Sequence, residues 1–352
     1  MLQITTYQYT LHFKQPAGTS RGVYTTRNLW FVVATDGEKI GIGECAPLPN
    51  LSCDHQNDAD YYHTLQQLCK QTEQKGYIDY EMLRHYPSVL FGLETAMQQL
   101  STNSFTLWPS DFTKGERGIQ INGLIWMGNY DEMLSRIDEK RKAGFKCIKL
   151  KIGAINFEQE LSLIKHIRNT FSSKEIELRV DANGAFQPSE AMQKLEQLAK
   201  FDLHSIEQPI KARQWDKMAE LCKQTPLPIA LDEELIGAND IEEKKEMFDT
   251  ICPQYIILKP SLHGGLYGSN EWITLAQQRN IGWWITSALE SNIGLNSIAQ
   301  WCATKNTTMP QGLGTGALFT DNFPLPLNII GDKLFFNQQQ TPTIESIIRK
   351  LK

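Results

Sequence analysis

Short apolar runs and longer amphipathic stretches alternate from about residue 117 to residue 316. The runs are GIQINGLIW, CIKLKIG, IELRVDANG, LHSIEQP, PIALDEEL, YIILKPS, GWWITSALES and TMPQGLGTG. Segments between them, such as NYDEMLSRIDEKRKAG and NFEQELSLIKHIRNTF, space their apolar residues as one face of a helix does. Strand and helix alternating in this way predict a parallel sheet, because parallel neighbours need a crossover between them. Eight repeats predict closure into a TIM-like (β/α)8 barrel. A doubly wound open sheet is the competing pattern. It would place a glycine fingerprint after an early strand, and none follows QINGLIW.

The N-terminal part has another texture. QITTYQYTLHF and LWFVVATDGEKIGIGECAPL carry strand composition, with Asp36-Gly37 as a hairpin turn signal. Between them GTSRG is small, polar and flexible. Helical patterns follow over 57–74 and 86–101, the second placing Val89, Leu90, Leu93 and Met97 together. The chain therefore reads as α/β: an α+β domain over 1–110 and a barrel over 111–320. The tail of about 320–352, with strand-like KLFFN, is expected to pack back on the first domain.

Five charges mark the ends of successive barrel runs. Lys151, Asp181, Glu207, Asp232 and Lys259 follow one another at steps of 30, 26, 25 and 27 residues. The C-terminal ends of strands are where such barrels assemble their sites. Lys149 and Lys151 alternate along one strand and so share a face, with Leu150 and Ile152 opposite. Two ammonium groups side by side depress each other's pKa and burial adds to this, so one can be neutral near pH 7 and act as a base. Viewed alone, the pair could equally be one lysine snorkelling from a strand end. The three carboxylates change that. Adjacent strands lie about 4.8 Å apart, so Asp181, Glu207 and Asp232 can converge on one ion. Oxygen ligands without histidine or cysteine suit Mg2+ before Zn2+, with Mn2+ as another possible occupant. Asn183 and Glu233 stand beside the carboxylates as supporting candidates. Lys259 reaches the same centre from the side opposite Lys149 and Lys151. Any one of the carboxylates alone would read as a helix cap or surface acid.

Composition narrows the partners. A net charge of −5 and a pI near 5.9 leave no broad basic surface, so nucleic acid is not expected. The 41% apolar content suits a large core. Seven cysteines, an odd count without a C-x-x-C pair, argue against a disulfide framework or zinc ribbon. MLQITTYQYTLHF lacks the charged start and apolar stretch of a signal peptide. No run approaches the ~18 apolar residues of a membrane span. A cytoplasmic protein with no membrane association is expected, and EEKKE at 242–246 reads as a solvated helix face. Oligomeric state is not legible.

The K-x-K strand, DANG, IEQP, ALDE, LKPS and TSALESNIGL, with GIGECAPLP and SVLFGLETAMQQL before them, resemble the enolase superfamily in its muconate-lactonizing-enzyme branch. The likeness spans nearly the whole chain. It implies that the N-terminal domain caps the barrel, and that Gly18, Thr19, Ser20, Arg21 and Gly22 form a lid loop closing over substrate. It implies Asp181, Glu207 and Asp232 as Mg2+ ligands, Lys151 and Lys259 as the catalytic lysines of the second and sixth strands, and Lys149 as a group tuning Lys151. The seventh run, ITSALESNIGLNSIAQ, resembles the o-succinylbenzoate synthase group of that branch. The eighth, QGLGTGALFTDN, lacks the Asp-x-Asp by which dipeptide epimerases hold an ammonium group. Asn183, Ser287, Gly314 and Thr315 are the candidate substrate contacts. Gly312, Gly314 and Gly316 leave backbone N–H groups for a small-molecule carboxylate, unless GLGTG is simply a tight turn.

What that resemblance implies is a lyase of menaquinone synthesis. It would dehydrate a 2-succinyl-6-hydroxy-cyclohexadiene-1-carboxylate to an aromatic product. Lys151 would remove the proton α to the carboxylate, giving a metal-stabilised ene-diolate, and then protonate the departing hydroxyl. Lys259 would stay protonated against the ring face. Two other readings stay open: a dipeptide epimerase or N-acylamino acid racemase using both lysines, and a binding barrel without catalysis.

Overall fold

A long hairpin opens the chain. β1 (Gln3–Thr19) and β2 (Gly22–Thr35) pair antiparallel from Gln3↔Thr35 to Thr19↔Gly22, with a register shift between His12 and Ala17. The computed structural model describes residues 1–19, 22–126, 128–153, 156–305 and 307–351. The ladder runs to Thr19 and Gly22, and Ser20 and Arg21 of the expected lid lie outside the described residues. β3 (Ile40–Cys45) joins β2 after the expected turn, where Asp36 Oδ1 accepts the N–H groups of Glu38 and Lys39.

Helices α1 (Asp58–Lys75), α2 (Tyr80–Leu83) and α3 (Pro87–Thr102) cover this sheet. Asn57 caps α1 by accepting from the N–H of Asp60, and Pro87 starts α3 where no N–H is needed. α3 lies on β3 almost backbone to backbone. A Cβ at Gly43 would stand 1.7 Å from the Gly92 carbonyl oxygen, and one at Gly92 would stand 2.3 Å from Cys45 Sγ. The glycines of GIGEC and FGLETA are thus the condition for this contact.

The barrel follows from β4 (Ile119–Gln120) and β5 (Gly123–Ile125) through α4 (Tyr130–Lys142), β6 (Cys147–Lys151), α5 (Phe157–Thr170), β7 (Glu177–Asp181), α6 (Pro188–Ala199), β8 (Ser205–Glu207) and α7 (Trp215–Gln224). It continues with β9 (Ile229–Leu231), α8 (Ile241–Ile251), β10 (Tyr255–Leu258), α9 (Gly265–Gln278), β11 (Gly282–Ile285) and α10 (Asn292–Ala303). β5 to β11 form one parallel sheet in sequence order. The eighth run supplies only two bridging residues: Gln311 pairs with Ile121 at one edge and Gly312 with Thr286 at the other. Gly312 is needed because a Cβ there would meet Thr286 Oγ1 at 1.5 Å. Its N–H is not available to a carboxylate as expected, since it donates to the Ile285 carbonyl at 2.8 Å.

Strand alternation sorts the side chains. Ile148, Leu150, Leu178, Val180, Ile256 and Leu258 face the helices in the main core, while Ala230, Ile257 and Trp284 pack as a separate inner cluster. Buried Arg179 stacks over Trp284, its guanidinium carbon 4.3 Å from the ring centroid. β12 (Leu327–Ile330) and β13 (Lys333–Phe336), which contains KLFF, form a small sheet with β4. α11 (Ile344–Leu351) sends Ile344, Ile347 and Leu351 into the core formed by β1, β2 and β3. The EEKKE segment is not wholly solvated. Lys244 is fully buried, donating to the Gly268 carbonyl and to Glu271, a partner the local sequence could not reveal.

Two buried carboxylates tie the N-terminal domain to the barrel. Glu44 on β3 accepts the N–H groups of Ser291 and Gly294, both at 2.8 Å, at the start of α10. Glu94 on α3 accepts those of Leu266 and Tyr267 at 2.6 and 2.9 Å, at the start of α9. Helix N-termini favour an anion, since their first N–H groups lack partners within the helix. Burial works the other way and dominates, pushing Glu44 up to about 7 and Glu94 to about 8. These helices follow the loops after β10 and β11, so the latch fixes the barrel rim.

Two outcomes are expected. Gly43→Ala should lower the unfolding free energy by about 3 kcal/mol or more, as overpacking against rigid backbone does, read from denaturant melts. Glu94 binds its proton more tightly folded than unfolded, so its contribution is present at low pH and declines as pH rises from about 4.5 to about 8. Glu94→Gln should flatten this decline by up to about 1.4 kcal/mol per pH unit. An unchanged slope between these pH values would exclude Glu94 as its source.

Candidate active site

Sheet register brings the charged strand ends side by side. Lys151 pairs with Asp181 across β6 and β7, and Asp181 with Glu207 across β7 and β8. Asp232 and Lys259 follow the last residues of β9 and β10. Lys149 Nζ lies 3.0 Å from Asp181 Oδ2 and donates to Glu207 Oε2. Lys151 Nζ donates to Asp181 Oδ2 at 3.1 Å and to Asn183 Oδ1 at 2.6 Å. Lys259 Nζ donates to Asp232 Oδ2. Asn183, in a left-handed conformation at φ 44°, also donates through Nδ2 to Glu233 Oε1 at 3.0 Å.

This geometry corrects the expectation that burial and a lysine neighbour set the direction at Lys149. Burial does push Lys149 down, but Asp181, Glu207 and Asp232 outweigh it and hold the ammonium above its ordinary value. Lys259 is likewise raised against burial, chiefly by Asp232. Asp181 is buried, yet Lys149 and Lys151 draw it well below the usual carboxylate range. Glu207 moves the opposite way, raised by burial and by Asp181.

Among the described residues no three His, Cys, Asp or Glu side chains are gathered closely enough to hold a metal ion as they stand. The carboxylates pair with ammonium groups instead. Their chemistry nevertheless suits a cation. Buried Glu207 Oε1 and Asp232 Oδ1 have no hydrogen-bond partner. All the candidate donors are hard oxygens.

Above this floor lies a cavity of about 290 Å3. Lys149, Lys151, Asp181, Asn183, Glu233 and Lys259 reach it, whereas Glu207 and Asp232 lie behind the lysines they touch. Ser287, Gly314 and Thr315 form part of its wall, with Ser287 Oγ and Thr315 Oγ1 2.5 Å apart. The N-terminal domain adds Gln15, Tyr24, Leu48, Pro49 and Leu51, so both domains enclose it. Gln15 and Tyr24 flank the hairpin tip to which Gly18, Thr19 and Gly22 belong.

Several site neighbours escaped sequence reading. Gln208, at φ 39°, accepts the N–H groups of Asp232 and Glu234 at 3.3 Å and fixes the turn after β9. His263, four residues after Lys259, lies against Asp232; burial keeps its imidazole neutral, pushed down to about 3. Trp126, Leu289 and Leu318 line the cavity from loops or element ends. Only Gln208, next to Glu207 in SIEQP, carried a local signal, as a polar residue within an expected strand end.

Comparison with known proteins fits this geometry. A family model described as enolase C-terminal domain-like matches residues 132–330, and one described as MenC, N-terminal domain matches residues 1–100. An o-succinylbenzoate synthase of Desulfotalea psychrophila is 46% identical over 354 residues, covering 92% of this chain and 96% of that protein. The crystal structure of MenC from Desulfotalea psychrophila LSv54 superposes with a TM-score of 0.81 at 42% identity, over 95% of this chain and 99% of the other. A dipeptide epimerase from Enterococcus faecalis V583, solved with Mg and the dipeptide L-Leu-L-Tyr, shares the fold at a TM-score of 0.78 and 19% identity, over 95% and 96% of the chains. With lysines and carboxylates in register at the end of a parallel barrel, and family models matching both its parts, the chain belongs to the enolase superfamily.

Proposed function

We propose that this chain is an o-succinylbenzoate synthase, a hydro-lyase that dehydrates a succinylated hydroxycyclohexadiene carboxylate to its aromatic product in menaquinone synthesis. The observation that carries the reading is that Lys151 and Lys259, from strands on either side of the carboxylate cluster, reach the same cavity. The choice of dehydration is supported by the Desulfotalea relative. It also fits the eighth run, where no acidic residue stands from Gly312 to Thr320 to hold a substrate ammonium group.

Asp181, Glu207 and Asp232 are the proposed ligands of Mg2+, which Mn2+ could replace. Such an ion would stabilise the charge that develops on the substrate carboxylate as its α proton leaves. Lys151 is the proposed base. It takes the proton from carbon as a neutral amine, and the ammonium so formed delivers it to the departing hydroxyl, so that a C–H and a C–O bond break and water leaves. Asn183 and Asp181, both bonded to Lys151, aim its nitrogen. Lys149, held as an ammonium between Asp181 and Glu207, supplies fixed positive charge next to Lys151. Lys259, raised by Asp232, stays protonated at the opposite side and faces the ring. Ser287, Gly314 and Thr315, which line the cavity, are the proposed substrate contacts.

A dipeptide epimerase or N-acylamino acid racemase is the second reading, favoured by the opposed position of Lys259. No helix of the described residues is long and apolar enough to cross a membrane. Seven free thiols accord with a reducing cytoplasm.

Ultraviolet absorbance of the aromatic product, followed with Mg2+ and the cyclohexadiene substrate, tests the assignment directly. Lys151→Ala should lose at least a thousandfold in kcat, the upper range for a general acid–base group, with substrate binding largely kept. Appreciable turnover in that variant would contradict its role. Asp232→Asn should require higher Mg2+ for half-maximal activity, and an unchanged requirement would remove it from the ligand set. Deuterium entering an amino-acid α-carbon from both faces, without aromatisation, would favour the epimerase reading.

A further inference from the structure

The loop returning from β10 sets a histidine against Asp232. His263 is 1% exposed, and its Nδ1 accepts the backbone N–H of Lys259 at 3.0 Å. A ring nitrogen that accepts carries no proton, so the neutral imidazole has its hydrogen on Nε2. That atom stands 4.0 Å from Asp232 Oδ1, and neither has a hydrogen-bond partner. The other carboxylate oxygen, Oδ2, is held by Lys259 Nζ. One five-residue segment thus addresses Asp232 twice, by an ammonium at one oxygen and an imidazole N–H at the other. An unsatisfied buried donor facing an unsatisfied buried acceptor is costly to both, and a small side-chain rotation would join them.

We propose that His263 is a positioning residue for the cation site, its Nε2–H orienting Asp232 so that Lys259 does not monopolise the carboxylate. The inference rests on Asp181, Glu207 and Asp232 being the cation's ligands. A carboxylate with one donor turns wholly toward it. A second donor on the other oxygen fixes the plane of the group and lowers the reorganisation needed to bind an ion. Groups that orient a metal ligand in this way typically account for about 10–100-fold in metal affinity. A histidine that merely filled core space would have no such effect.

Mn2+ binding, followed by electron paramagnetic resonance in the parent, His263→Asn and His263→Gln, separates the two. Asparagine can accept from the Lys259 N–H but stops short of Asp232, whereas the glutamine amide reaches toward the position of Nε2. The Asn variant should bind Mn2+ about 10–100-fold more weakly, with its metal-free melting temperature near that of the parent, and the Gln variant should recover most of the loss. The Mg2+ concentration for half-maximal activity should rise in step, with kcat at saturating Mg2+ little changed. An Asn variant that binds as tightly as the parent overturns the role of His263 alone. A parent that binds no Mn2+ overturns the ligand assignment and this inference together. If the Asn variant does not fold, NMR of the histidine-labelled parent decides: an Nε2–H tautomer whose proton resonance moves on adding Mg2+ supports the role, and an Nδ1–H tautomer or an unresponsive one overturns it.

Discussion

The whole barrel rim is organised by the need to bring Asp181, Glu207 and Asp232 together with Lys149, Lys151 and Lys259 in one largely desolvated place. Such a set is stable only if nearly every charge meets its opposite at hydrogen-bond distance, because desolvation otherwise drives each group neutral. Sheet register supplies those meetings: Asp181 is shared by Lys149 and Lys151, and Glu207 and Asp232 each hold one lysine. The opposite shifts of Asp181 and Glu207 follow from the same balance. Asp181 touches two cations, whereas Glu207 touches one and feels two neighbouring acids. Glu207 Oε1 and Asp232 Oδ1 are left without a hydrogen-bond partner, where a divalent ion would best relieve them.

The N-terminal domain matters to that cluster through backbone geometry. Glycines at 41, 43 and 92 let α3 settle on β3, and this close approach carries Glu44 and Glu94 toward the starts of α10 and α9. Each helix begins just after a loop that borders the cavity, one containing Ser287 and Leu289, the other continuing from Lys259 to Gly264. Leu289 holds φ 65°, a conformation that a leucine adopts only where its surroundings enforce it. Glu290 supplies part of that enforcement, accepting from the Ala288 N–H at 2.6 Å and from Ser261 Oγ. Packing in one domain is thereby converted into loop position in the other.

How much of this the sequence disclosed depended on the range of each interaction. The strands were legible because period-two alternation is local, and the charged strand ends were legible because they repeat at one step along the chain. The eighth strand showed as an apolar run, but its reduction to Gln311 and Gly312 was hidden, since both of its bridges go to distant edges. Burial of Lys244 depended on Glu271, 27 residues away, so its local pattern pointed to solvent. The direction of the Lys149 shift was not legible, because its lysine neighbour is two residues away whereas the three acids that outweigh burial come from other strands. Glu44 and Glu94 were visible as single acids inside apolar strings, yet nothing local named the helix N-termini that receive them.

Floor and walls of the cavity answer different questions. The lysines and carboxylates decide that a proton next to a carboxylate can be moved, and that chemistry does not distinguish elimination of water from inversion of a carbon centre. Discrimination must come from what stands over the floor. Tyr24, Leu48 and Leu51 from one domain and Trp126, Leu289 and Leu318 from the other supply its apolar surface, and Gln15, Asn122, Glu139, Lys140, Ser287 and Thr315 its polar part. A flat cyclohexadiene with a succinyl arm suits the apolar part of these walls, whereas a zwitterionic dipeptide would find no acid from Gly312 to Thr320 for its ammonium group.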